Sequence, residues 1–133
     1  MTPIQQLYLG VGASKKTYLD DVFSTYLYKG TGSTQTITNN INVSGEGGMT
    51  WLKRRDGTGF HYMYDSLRTT SATNSNSVDS SRNNAQSNTY DGLDQFSSTG
   101  FRVNTNANVN DNNGKFTSWT FRKAKGFFDV VTY

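Results

Sequence analysis

Met49-Thr50-Trp51-Leu52-Lys53-Arg54 runs into Asp56-Gly57-Thr58-Gly59 and returns as Phe60-His61-Tyr62-Met63-Tyr64. The returning arm alternates, which places Phe60, Tyr62 and Tyr64 on one face of a strand, and Asp56-Gly57 supplies the positive φ that a tight reversal needs. A hairpin is therefore expected here, and with it an all-β chain.

The surrounding composition agrees. Only 33% of the 133 residues are hydrophobic, while Tyr, Phe and Trp together make up 14%. A core built from such a chain leans on rings, because each buries far more area than an alanine or valine. Trp51, Phe101, Trp119 and Phe121 are accordingly expected to be largely buried. Asn, Ser, Thr and Gly dominate the remainder and disfavour helix, since short polar side chains compete for backbone hydrogen bonds. The single proline, Pro3, leaves later strands free of ladder breakers.

Outward from the hairpin, Phe23-Ser24-Thr25-Tyr26-Leu27-Tyr28 is dense in strand formers and reads as a strand, with a helical turn before it as an option. Residues 30–48 read as a short strand or loop ending in Gly45-Glu46-Gly47-Gly48. The polar stretch 69–88 fits either a long loop or short edge strands. Phe101-Arg102-Val103 alternates again, and Asn104, Asn106, Asn108 and Asn110 keep one phase, so a continuing strand would line a face with amides. A final hairpin is expected from Phe116–Phe121 to Gly126–Tyr133, with a basic turn between. Two units follow: an extended N-terminal segment, 1–22, and a β-rich module, 23–133, whose C-terminal strand lacks a closing turn and reads as incomplete.

Chemistry-bearing residues are few. Cysteine is absent, and the chain holds one histidine, His61, and one glutamate, Glu46. No triad, thiolate or His/Cys metal site can be assembled from these, so no catalytic, cofactor or metal role is assigned. Asp111-Asn112-Asn113 is explained by a turn rather than by calcium, lacking the acidic loop pattern that ends in glutamate. Formal net charge is +3, from small basic clusters beside turns such as Lys53-Arg54-Arg55, which suit solvated hairpin ends better than phosphate binding. Neither a nucleic-acid partner nor membrane insertion is expected, there being no long apolar run. Two surface readings stay open. Leu7, Tyr8, Leu9 and Tyr18 form apolar patches on a glycine-broken segment and are candidates for an assembly interface. Trp51, Tyr62, Tyr64 and Trp119 are candidates for stacking on sugar rings, weighed against the simpler reading that they form the core.

Several stretches resemble tail-fibre and virion structural proteins of short-tailed, podovirus-like marine phages. They include Gln5–Gly10, Asp20–Tyr28, Gly47–Lys53 and Phe96–Phe101, and most specifically Ser118–Lys123 with Gly126–Tyr133. The resemblance implies a concanavalin-A-like jelly-roll sandwich. It also implies a virion location after synthesis in the host cytoplasm and a tail-fibre role in host attachment without catalysis. Its implied partners are further copies, as a homotrimer, and an adaptor or nozzle protein of the tail. A host receptor would be met through distal regions outside this chain. A lectin-like carbohydrate-binding module is the alternative.

Overall fold

The computed structural model describes residues 16–71 and 73–133. Leu7, Tyr8 and Leu9 lie outside the described residues. A helical turn, α1 (Leu19–Val22), runs directly into β1 (Phe23–Lys29). Val22 is 2% exposed, so the end of this turn is packed against the strands that follow. The chain continues through β2 (Gln35–Thr38), α2 (Val43–Glu46), β3 (Gly48–Arg54) and β4 (His61–Ser71). There follow β5 (Asn74–Asp79), β6 (Ser87–Asn88), β7 (Leu93–Phe96), β8 (Gly100–Val103), α3 (Ala107–Asn110) and β9 (Lys115–Arg122).

The fold is all-β, and the described residues form two antiparallel sheets. One has six strands in the order β1-β9-β3-β4-β5-β6, the other three in the order β2-β8-β7. The β3–β4 hairpin forms, with Leu52 opposite Tyr62 and Lys53 opposite His61. Its connection is longer than a tight reversal: residues 55–60 make the loop, neither Asp56 nor Gly57 takes a positive φ, and Phe60 precedes the strand and is 42% exposed. Stretch 69–88 resolves into strands: β4 runs to Ser71, and β5 and β6 close that side of the larger sheet.

The core lies between the sheets. Tyr28, Leu52, Tyr62, Tyr64 and Phe116 face Ile37, Leu93, Phe101 and Val103 across it, with Val109 from α3. Tyr28 stacks on Phe116 at 5.2 Å between ring centroids and meets the edge of Phe101 at 6.2 Å. So few aliphatic groups suffice because much of the remaining interior is hydroxyls and amides, many of them hydrogen-bonded to one another. Asn39 Nδ2 donates to Thr120 Oγ1 over 2.9 Å, and Thr120 shares a 3.0 Å hydrogen bond with Thr50; all three are buried.

Two expectations are corrected. Gly126–Tyr133 is not a strand: beyond β9 there is a single bridge, Ala124 to Phe128. The reason is topological. Strand β9 is central, pairing with β1 through Phe23–Phe121 and with β3 through Trp51–Trp119, so neither of its edges is free for a returning arm. The asparagine run does not line a strand either. Asn106 caps α3, accepting the Asn108 N–H over 2.9 Å, and the chain winds into a helical turn. Asparagine favours this because its side chain competes for nearby backbone donors.

That turn carries Asn110 into the interior, where it is wholly buried. Its Oδ1 accepts from Thr31 N at 2.9 Å and Gln35 Nε2 at 2.6 Å, and its Nδ2 donates to Ser33 O and Asn104 O at 2.6 Å each. The amide thus ties α3 to the β1–β2 connection. The adjoining Tyr28 hydroxyl donates to Val109 O over 2.7 Å.

Candidate functional site

Side chains of successive strand residues point to opposite faces, so the register of the six-stranded sheet sorts its rings. Leu52 and Tyr62 face the core, and Trp51 therefore faces away from it. One row across the outer face reads Thr25, Trp119, Trp51, Met63 and Val78, on β1, β9, β3, β4 and β5. A second reads Phe23, Phe121 and Met49, and a third Leu27, Thr117, Lys53 and His61.

Trp51, Trp119 and Phe121 are half-buried on this face, not in the core as their scarcity among apolar residues suggests; Phe101 is the fully buried one. The two indoles meet edge to face with centroids 5.5 Å apart. Trp51 Nε1–H donates to His61 Nδ1 over 3.0 Å, with the rings at 5.6 Å, which fixes the orientation of both. At the other end Phe121 lies 5.0 Å from Phe23 and stacks on Phe128 at 5.2 Å, so the segment after β9 lies over part of the sheet. The result is a row of held rings with open flanks.

The four sugar-stacking candidates are separated by this arrangement. Trp51 and Trp119 come together, whereas Tyr62 and Tyr64 lie on the inner face, buried, and cannot stack on a ligand. The Tyr64 hydroxyl is hydrogen-bonded to Thr89 Oγ1 at 2.7 Å, and burial pushes its pKa up to about 12. Tyr18, the assembly candidate within the described residues, is 62% exposed just before α1. Sequence reasoning missed His61 as the acceptor for Trp51, and Phe23 and Phe128 as extensions of the ring cluster. The hairpin register carries the first signal, since Lys53 opposite His61 sets His61 diagonal to Trp51 on the same face.

Asp56, Asp65, Asp79, Asp94 and Asp111 are paired with arginines. Arg102 grips Asp94 with two bonds, Nε to Oδ1 at 2.9 Å and Nη2 to Oδ2 at 2.7 Å. Burial by itself would raise the Asp94 carboxyl, but bonds from Arg102 and Asn104 hold it below the usual carboxylate range. Arg82 pairs with Asp79 while its guanidinium lies 3.5 Å over the Phe60 ring. Arg54 bridges Asp56 at 2.8 Å and Asp111 at 2.7 Å, which locks the β3–β4 turn to the loop before β9. Asp111 is thereby a structural anchor. Among the described residues no cluster of three His, Cys, Asp or Glu side chains could hold a metal ion, and no helix is long and apolar enough to cross a membrane.

Residues 19–128 match a domain of unknown function, DUF7483. The chain belongs to that family. The match begins at Leu19, the first residue of α1, and ends at Phe128, the ring stacked on Phe121, so it takes in every described strand and the whole outer-face ring row. No curated protein matches the chain, and no solved structure does.

Proposed function

We propose that this DUF7483 chain is a non-catalytic binding and assembly module of a phage tail fibre, contacting another tail protein in the virion. The observation that carries the binding reading is the outer-face row of Trp51 and Trp119, two large rings fixed by each other and by His61 yet left partly open to solvent. Rigid aromatic anchors of this kind supply contact area at low entropic cost. Carboxylates tied to arginines fit a scaffold better than an acid–base pair poised for turnover. The tail assignment itself rests on the resemblance of Ser118–Lys123 and Gly126–Tyr133 to tail-fibre proteins, as does the concanavalin-A-like jelly-roll relationship. In this reading residues 1–22 anchor the fibre, further copies and an adaptor or nozzle protein are partners, and distal sequence meets the host receptor.

Antibody against the domain should label tails of purified particles, and virions carrying a deletion of residues 1–20 should lack the protein. Its absence from purified wild-type particles by mass spectrometry would overturn the assignment. The same two indoles favour one second reading, a lectin-like module stacking sugar rings on Trp51 and Trp119. Titration with host surface polysaccharide decides it: a change in tryptophan emission that disappears in Trp119→Ala would establish sugar binding over protein docking.

A further inference from the structure

Of the sheet edges, three are blunted. Strand β6 has two residues, β2 has four, and β7 is interrupted by a register shift between Leu93 and Gln95. Strand β1 is different: seven residues, without proline or bulge, in unbroken register with β9 on one side and, among the described residues, no strand on the other. Such an edge is a ready template for another strand.

The hydrogen bonds show which of its groups are unused. Gly30 N donates to Gly114 O over 2.8 Å, continuing the β1–β9 ladder past Lys29. Residues of even number in β1 therefore bond to β9, and those of odd number turn their N–H and C=O to the open edge. Phe23 and Lys29 agree with this, since the Phe23 N–H goes back to Leu19 O and the Lys29 carbonyl is taken by Gln35 Nε2 at 3.0 Å. Thr25 and Leu27 are left with both backbone groups facing outward, and among the described residues nothing meets them. The adjacent side chains are apolar and open, Tyr26 at 39% and Leu27 at 57% exposure.

We propose that β1 is a self-pairing edge, taking the β1 strand of a second copy of this chain in antiparallel register about a two-fold axis at Tyr26. This does not rest on the tail-fibre reading. The register follows from which groups are free. Centring the axis on Thr25 would set Leu27 against Phe23 of the second copy, whose N–H is already used. Centring it on Leu27 would set Thr25 against Lys29, whose carbonyl is used. Only an axis at Tyr26 sets Thr25 against Leu27 twice, so that each free N–H meets a free C=O. It also brings the two Tyr26 rings together at a non-hydrogen-bonded position, where side chains approach closest. The two six-stranded sheets become one continuous sheet.

Sedimentation equilibrium on the full chain, over a range of concentrations, tests this together with amide exchange. Dimers are expected, with the Thr25 and Leu27 amides protected in step with dimer formation and exposed on dilution. Thr25→Pro removes a donor that is unused in the monomer, so it should keep native circular dichroism and lose the dimer. Leu27→Lys, which leaves every backbone group in place, should weaken the dimer by charge alone. A monomer at all concentrations, a trimer, or a dimer that survives Thr25→Pro would overturn the proposal. So would a monomer that dimerises only after removal of residues 1–15, which would place that segment on the edge instead.

Discussion

Trp51 and Trp119 stand directly opposite each other on β3 and β9, and their rings meet edge to face on the side of the sheet away from the core. Phe116, on the same strand as Trp119, faces inward and is fully buried. The two positions should respond differently to truncation. Phe116→Ala is expected to cost about 3–5 kcal/mol, the usual loss for a buried ring, and Trp119→Ala clearly less, because solvent already reaches the indole. Urea unfolding of both variants measures the difference. Equal losses would mean that the outer face is covered in solution.

Asn110 is expected to be among the costliest single side chains to lose. Its amide is wholly buried and meets four partners; removing it takes a bond from two donors and two carbonyls, of which the Asn104 carbonyl is buried with it. Asn110→Ala should destabilise by at least about 2 kcal/mol, given the penalty for even one unsatisfied buried group. Asn110→Asp should do little better, since a carboxylate cannot donate to the Ser33 and Asn104 carbonyls. A variant within 0.5 kcal/mol of wild type, roughly the size of a surface substitution, would show that water replaces the amide.

The β3–β4 hairpin was legible because two local signals coincide there, period-two alternation and an Asp56-Gly57 turn. Strands β5 and β7 carried no such signal. In β5 the inward positions are Ser75 and Ser77, and Ser75 is satisfied by the Leu93 carbonyl at 2.5 Å, so burial proceeds through hydroxyls that read as surface. The pairing of β1 with β9 joins residues nearly a hundred apart, and periodicity holds no information on strand order. That one fact misplaced the final hairpin. The ring cluster is half legible: Trp51 and Trp119 come together on one face, whereas Tyr62 and Tyr64, grouped with them on the sequence, lie buried on the other. Pairing Leu52 with Tyr62 separates the two sets, because neighbours in register share a face and Trp51 adjoins Leu52 in sequence.

Gly100 opens β8 at φ +159°, and a Cβ there would fall 1.9 Å from the Ile37 carbonyl oxygen on β2. The backbone cannot yield without parting the two strands. Gly100→Ala should therefore lose more than about 1 kcal/mol, reversing the small gain that alanine gives at compatible glycines. Thermal unfolding reads it out, and an unchanged midpoint would mean that β2 and β8 part easily.

Asp94 sets a direction for acid stability. Its folded-state pKa lies below the ordinary carboxylate value: burial opposes ionisation, but the hydrogen bonds from Arg102 and Asn104 outweigh it. The unfolded chain binds this proton more readily, so the group stabilises the fold above the unfolded pKa of about 3.9 and that contribution disappears as pH falls through the folded value. Stability should decline as pH drops below about 5, the range in which an unfolded aspartate begins to protonate. Asp94→Asn removes the titrating group while keeping its shape and one acceptor for Arg102. It should lower stability at neutral pH and flatten the acid limb of the stability–pH curve. The paired control is Arg102→Gln, which leaves the carboxylate buried without its guanidinium and should shift the acid limb to higher pH. If both variants kept the wild-type acid limb, the Asp94–Arg102 pair would have no part in it, and Asp79, held by Ser81 and Arg82, would be the next group to replace.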